Sequence, residues 1–292
     1  MQWGLFMFRN SQGQISGTRS VSYFSSEDLP SFPNIIQTYS YTGANQDILV
    51  PVDYGFCEYI LWGAAGSRGS DGTFRIASAG GATTGILAVT GGETLIAIVG
   101  EGGLSCNGAN LSRAGGYGGS GSISTPSAAF VPGRGGGRSA IRRSTTELAT
   151  AGGAGGAGST GATGGVGGGT TGGSSGTGGG GTQSAGGAGS TGATSNGAAG
   201  TAFQGGNAGI YAGSGGGGFY GGGGGGDSST VANAGGAGGS GFAGGTSAFT
   251  YQGVGATPPL NTDPRYPGGG VGTSNSTSDQ AGHGFIHLRF FV

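Results

Sequence analysis

The chain has 292 residues, of which 80 are glycine; its 11 basic side chains are all arginine, set against 12 carboxylates, for a net charge of −1. A chain without lysine has no P-loop lysine, no Schiff-base lysine and no kinase-type ion pair, and near-zero charge argues against nucleic-acid binding by phosphate neutralisation. With two histidines there is little material for acid–base chemistry, so the expectation is a structural or binding protein, not an enzyme, and no cofactor.

Residues 1–35 read as an N-terminal arm. If it is a strand, Trp3, Leu5 and Met7 share one face while Phe6 and Phe8 share the other. Apolar residues on both faces suggest burial on both sides, against another chain, so Trp3, Leu5, Phe6 and Phe8 are the candidate assembly residues. Pro30 and Pro33 mark a stiff connector. The apolar start is short and lacks a basic flank, so it does not read as a signal peptide. No stretch is long enough to span a membrane as a helix.

Residues 36–150 read as successive strands at Ile36–Thr42, Asp47–Val52, Phe56–Gly63, Thr73–Ala77, Thr84–Thr90, Thr94–Gly100 and Ser139–Arg143, with Ser144–Thr150 ambiguous. They are dense in β-branched and aromatic residues and are separated by turn chemistry such as Thr42-Gly-Ala-Asn45. Short, regularly spaced strands without helical periodicity predict an antiparallel sandwich or barrel. Residues 283–292 read as a closing strand that returns to the same sheet. Both ends of the glycine-rich stretch 151–282 are then pinned, which argues against a free linker.

Collagen is excluded, because Gly133–Thr257 contains no proline and glycines come in runs such as Gly221–Gly226. From Gly152 to Gly167 glycine occupies every third place, and the nine residues Gly155–Thr163 recur identically at Gly186–Thr194. A period of three is that of the polyproline-II conformation, in which nine residues make a rod of about 28 Å. Such rods have no internal hydrogen bonds, but with glycine facing every neighbour they can bond laterally. No charged residue lies between Glu147 and Asp227. That suits a packed interior, where burying charge is costly, better than a disordered linker.

Several motifs then stand in order: Ile48-Leu-Val-Pro51, the Trp62-Gly-Ala-Ala-Gly66 end of the run from Phe56, Leu95-Ile-Ala-Ile-Val-Gly-Glu-Gly-Gly103, Gly135-Gly-Gly-Arg-Ser-Ala-Ile-Arg142, Gly215-Gly-Gly-Gly-Phe-Tyr-Gly221 and Gly282-His-Gly-Phe-Ile-His-Leu288. Over residues 38–292 this resembles the glycine-rich domain family of the anaplastic lymphoma kinase and leukocyte tyrosine kinase receptors, with similar domains in bacterial, phage and viral surface proteins. The resemblance implies an all-β fold, a jelly-roll-like antiparallel β-sandwich with an inserted bundle of polyglycine-II helices. It also implies binding or scaffolding without catalysis. The receptors' ligand-binding residues are not carried over.

Cys57, Cys106, His283 and His287 do not read as a zinc set, because two histidines four places apart on a strand lie about 13 Å from each other. The two cysteines form one bridge or stay as separate buried thiols. Arg134, Arg138, Arg142 and Arg143 read as a solvated strand edge that resists sheet pairing, with an anion or glycan site as the functional alternative. The aromatics that interrupt the glycine region, Phe203, Tyr211, Phe219, Tyr220, Phe249, Tyr251 and Tyr266, are candidates for a recognition tip or for plugs in the core. Asn110-Leu-Ser112 and Asn275-Ser-Thr277 are glycosylation sequons.

These readings converge on a structural or attachment protein of a virion or extracellular surface, with the virion preferred because an initiator Met without a signal peptide suits assembly inside cells. Its partners would be copies of itself or a neighbouring structural protein, bound through the arm, and a host-surface glycan or protein. The alternatives are a subunit of a self-assembled extracellular fibre and a soluble ligand-binding module.

Overall fold

The computed structural model describes residues 7–9, 15–18, 33–107, 110–227 and 234–292, and these contain strands but no helix. Two compact units divide the chain, Met1–Asn34 and Ile35–Val292. In the first, β1 (Met7–Arg9) pairs antiparallel with β2 (Ile15–Thr18). Phe8 falls on β1; Trp3, Leu5 and Phe6 lie outside the described residues.

The second unit carries β3 (Ile35–Ser40), β4 (Gln46–Leu49), β5 (Phe56–Trp62), β6 (Gly69–Ser70), β7 (Phe74–Arg75), β8 (Ala82–Ala88), β9 (Thr94–Ile98), β10 (Ser112–Arg113), β11 (Ile123–Ser124), β12 (Ser139–Arg143), β13 (Thr146–Ala151), β14 (Phe242–Ala243), β15 (Thr246–Tyr251) and β16 (Phe285–Phe291). One five-stranded antiparallel sheet runs β14-β13-β12-β9-β4 and the other β15-β8-β5-β16-β3. Their inner faces meet as a sandwich: Ile48, Leu95, Ala97, Ile141 and Ala149 from the first sheet pack with Cys57, Tyr59, Leu61, Leu87, Ile286, Leu288 and Phe290 from the second. The period-two alternation of β5 decides which residues enter. Cys57, Tyr59 and Leu61 face the sandwich core, while Ile60 and Trp62 face outward under Leu260, Tyr266 and Val271. The closing strand pairs with β5 on one side and β3 on the other, so the first and last strands of the second unit share one sheet.

Residues 242–251, placed within the glycine region by the sequence, form β14 and β15 at one edge of each sheet. Ser144–Thr150, ambiguous in sequence, contributes most of β13, paired with β12 through a bulge beside Arg142.

Beyond one end of the sheets the chain is extended but is not β-ladder. Successive amides of residues 153–157 donate to Gly217, Ala64, Gly165, Ser214 and Ser67 at 2.7–3.1 Å. Donors three places apart therefore reach the same neighbouring segment, and the three directions are used in rotation. The carbonyls of Gly153 and Gly156 accept from Gly239 and Gly236, and those of Ala154 and Ala157 from Gly136 and Gly133. Gly221–Gly226 repeats the pattern in the middle of the glycine region. Its amides donate to segments 198–201, 213–216 and 179, and its carbonyls accept from 187–190, 206–209 and 234–237. This run is buried on all sides although it has no side chains. Its neighbours are backbone groups, which accounts for the burial of so many peptide units without loss of hydrogen bonds.

Candidate functional site

Chains leave the sandwich for the glycine region after Trp62, Ile98 and Ala151 and return to it at Ala82, Ser139 and Phe285, all at the same end of the two sheets. The loops joining these excursions therefore gather far from the sandwich. There the bridge Ser70–Val131 sets the β6–β7 hairpin beside Phe130, whose ring lies 5.1 Å from that of Tyr211. Tyr211 N donates to Ser124 O, and Thr125 N donates to Leu111 O, linking the neighbouring loops. Phe74, Leu111, Phe130 and Ile210 are 55%, 40%, 37% and 37% exposed in these loops. Large apolar side chains in the water at the end of a nearly side-chain-free body are the composition of a contact surface. Phe74 is held by the Arg68 guanidinium, 4.0 Å from its ring centre.

The aromatics singled out in the sequence separate into three settings. Tyr211 belongs to the distal loops just described. Phe203, Phe219 and Tyr220 form a partly buried cluster with Phe242, which stacks on Phe219 at 4.5 Å. Arg138 lies 4.8 Å from the Phe203 ring centre and donates to the Phe203 carbonyl. Tyr266 packs edge-on to Trp62, and its hydroxyl donates to Val271 O at 2.7 Å, so it closes the outer core of the second sheet. Phe249 and Tyr251 stand side by side on the edge strand β15.

The arginine cluster differs from a solvated edge. β12 is an interior strand between β9 and β13. Arg134 and Arg138 are 4% and 7% exposed, bound to Glu101 at 2.9 Å and Glu147 at 2.7 Å. They are internal clamps: Arg138 also reaches Gly118 O, and Arg134 reaches Gly102 O and Ala114 O, tying sandwich strands to glycine segments. Only Arg142 and Arg143 lie outward, the latter in a two-bond pairing with Glu93 that holds the Glu93 carboxyl below the usual range. Sequence reasoning missed the clamps because their partners are 33 and 9 residues distant, beyond any local spacing rule.

Cys57 and Cys106 are free thiols, both buried. Burial pushes them up to about 12 and about 11, so neither is a nucleophile at neutral pH. Among the described residues, no three His, Cys, Asp or Glu side chains come together as a metal set. No helix among them is long and apolar enough to cross a membrane.

A second surface feature lies where the sheets meet the glycine region. An open cleft of about 630 Å³ is lined by Ser40, Tyr41, Thr273, Asn275, Ser278, Gln280 and His283, with Val271, Phe285 and glycines between. The imidazole of His283 stacks on the ring of Tyr41 at 4.2 Å, with 10° between the planes. Gly102 N donates to His283 Nδ1 at 3.0 Å, which fixes the neutral tautomer with its proton on Nε2. Gln280 Nε2 sits 3.3 Å from His283 Nε2. Burial lowers the His283 pKa, with Glu101 opposing and Arg134 reinforcing the shift. Sequence reasoning missed Tyr41, which lies outside the glycine region, and Gln280, which is not aromatic; nothing local signals that residues 41 and 283 meet.

No protein-family model matches the chain, and no curated protein matches it.

Proposed function

We propose that this chain is a non-enzymatic structural and attachment protein of a virion or other extracellular surface. It would be a member of the glycine-rich domain type, with a jelly-roll-like sandwich as its base and a bundle of polyglycine-II helices as its stalk. The observation that carries this reading is the hydrogen bonding of Gly221–Gly226, whose amides turn through three neighbours every three residues and whose carbonyls engage three more. A threefold rotation per three residues is the screw of polyproline II. None of these six glycines has a positive φ, as the left-handed helix requires. A lattice of backbone bonds resists bending in every lateral direction, which suits it to holding loops at a distance from an assembled body.

The distal loops supply the contact. Phe74 sits on β7 and Leu111, Phe130, Ile210 and Tyr211 on bends and turns that backbone bonds tie to one another, so little ordering entropy is lost on binding. Replacing Phe130, Ile210 and Tyr211 together by serine is expected to abolish attachment to the host surface while leaving the unfolding temperature unchanged. Attachment that survives this replacement, measured by retention on candidate host cells, would overturn the assignment of these loops.

A fibre subunit is the second reading, favoured by the opposite end of the sandwich. There Val52, Phe56 and Val292 are 69%, 45% and 64% exposed, and β3 and β4 are open sheet edges. Such edges accept a strand from another copy. That reading predicts polymers that dissociate when residues 1–10 are removed, with the monomer still folded.

A further inference from the structure

We infer that the cleft between Tyr41, Asn275 and His283 is a binding site for a neutral carbohydrate; the inference deepens the attachment reading and rests on it. Three observations lead there.

The lining carries no formal charge. His283 is held neutral by the hydrogen bond it accepts on Nδ1, and the two ion pairs nearby, Arg134 with Glu101 at 2.9 Å and Arg68 with Asp279 at 2.8 Å, are each closed on themselves. An anionic or cationic ligand would lose its hydration there without gaining a counter-charge.

The polar groups are amides and hydroxyls held in place by their own backbone. Asn275 Oδ1 accepts from Thr277 N and Ser278 N at 3.2 and 2.8 Å, which fixes the amide plane and leaves the two Nδ2 protons for a ligand. Ser278 Oγ donates to Gln280 O and accepts from Gln280 N, so Gln280 is oriented in turn. Ser40 adds a hydroxyl that both donates and accepts, and Thr273, whose hydroxyl donates to Val271 O at 3.2 Å, adds an acceptor. A sugar hydroxyl also donates and accepts, and a fixed array of this kind can satisfy several at once.

The cleft also has a flat aromatic element. Tyr41 and His283 are stacked, and Tyr117, whose hydroxyl donates to Asn45 Oδ1 at 2.6 Å, braces Tyr41 from 6.3 Å away. Rigid rings beside fixed polar groups suit the ridge of C–H bonds on one face of a pyranose. The volume lies within the range of small-molecule sites, roughly 300–1,000 Å³. Gly269 and Gly270 form part of its wall, and a Cβ built on either meets nothing within 4 Å, so the mouth is open.

The test uses the full chain and nuclear magnetic resonance of its two histidines. Glucose, galactose, mannose and N-acetylglucosamine are titrated separately while the imidazole signals are followed. His283 lines the cleft; His287, on β16, does not, and serves as the internal control. At least one sugar is expected to shift the His283 signals and leave those of His287 in place. Ser40→Trp, at an exposed position of β3 where an aromatic suits the strand, is expected to block the cleft and weaken binding at least tenfold without changing the unfolding temperature. Asn275→Ala is expected to weaken it similarly. The inference is overturned if no sugar moves His283 up to its solubility limit, or if binding persists in both variants. Failure here with attachment lost in the distal serine variant leaves the attachment reading standing. Sugar binding with attachment indifferent to both surfaces would instead retain the cleft and remove the attachment reading.

Discussion

Gly223 sits at the middle of the all-glycine run, and replacing it by alanine measures what the backbone lattice is worth. A Cβ built there lies 1.9 Å from Ala188 O and 2.5 Å from Ala188 C, where ordinary contact begins at 3.4 Å. The obstacle is backbone, so no rotamer change relieves it; segment 187–190 would have to move by about 1.5 Å to restore van der Waals separation. That movement strains the bonds from Gly187 N to Gly221 O and from Ser190 N to Gly224 O, both 2.9 Å. Each is worth about 1 kcal/mol net, and a buried peptide group left unpaired costs about 1–3 kcal/mol. Against this, alanine recovers only about 0.5–1 kcal/mol of chain entropy. The expected loss is therefore about 3–5 kcal/mol. For a domain of this size it is a drop of about 6–20 °C in unfolding temperature. Gly55→Ala is the matched control, because its φ is not positive and a Cβ there meets nothing within 4 Å; it should be neutral or slightly stabilising. Calorimetry of the two variants decides. Equal stability would refute the claim that Gly223 is glycine because its neighbours are backbone.

Exchanging Gly236 and Ala237 in one double variant keeps the composition and shifts the methyl to a position 1.9 Å from Ser214 O, so it should destabilise as strongly as Gly223→Ala in the same calorimetric assay. Arg138→Met strands Glu147 as a buried unpaired carboxylate and is expected to cost about 3–5 kcal/mol in denaturant unfolding, whereas Arg138→Met with Glu147→Leu should recover most of it. Burial lowers the pKa of both His283 and His287 from 6.5. The unfolded chain therefore binds more protons, so stability should fall as pH drops below about 6.5, by up to about 1.4 kcal/mol per pH unit for each histidine. Unfolding midpoints that stay flat between pH 7 and 5 would contradict that burial.

The parts of this fold that local chemistry specifies were legible in the sequence. β5, β9 and β16 are largely apolar runs rich in β-branched or aromatic residues beside glycines, β12 follows Gly135–Gly137, and each lies within two residues of its expected position. What escaped was long-range. Phe242–Tyr251 is short, threonine-rich and embedded in glycine, and it becomes strand only because the edges of β8 and β13 are there to receive it. Arg134 and Arg138 look solvated in sequence because an arginine's burial depends on where its carboxylate arrives. The Tyr41–His283 stack joins residues from opposite ends of the second unit, which meet because β3 and β16 pair in the register Ser40 to Phe285. Tyr266 was read equally as plug or recognition residue, and only its packing on Trp62 separates the two.

The glycine pattern itself can be decoded once the neighbours are known. In 152–157, reading Gly-Gly-Ala-Gly-Gly-Ala, a Cβ at Gly152 or Gly155 would strike Gly239 O or Gly236 O, and one at Gly153 or Gly156 would strike Gly136 O or Gly133 O, all within 2.3 Å. Ala154 and Ala157 occupy the third direction, where a methyl is accommodated with full burial. The segment 234–240, Ala-Gly-Gly-Ala-Gly-Gly-Ser, follows the same rule: Gly235 and Gly238 face Thr163 O and Val166 O, and Gly236 and Gly239 face Ser214 O and Gly217 O. In Gly221–Gly226 no direction is free. Gly221 and Gly224 meet Gln204 O and Asn207 O, Gly222 and Gly225 meet Ala237 O and Ala234 O, and Gly223 meets Ala188 O, each within 2.2 Å. The number of consecutive glycines thus reports how many of the three faces touch another backbone: two faces give Gly-Gly-Ala, three give an unbroken run. Slippage of repetitive DNA produces a period, but it has no reason to place alanine on the one face that can hold it. The period of three is therefore a packing code, and its phase, more than the glycine count, ties the sequence to this fold.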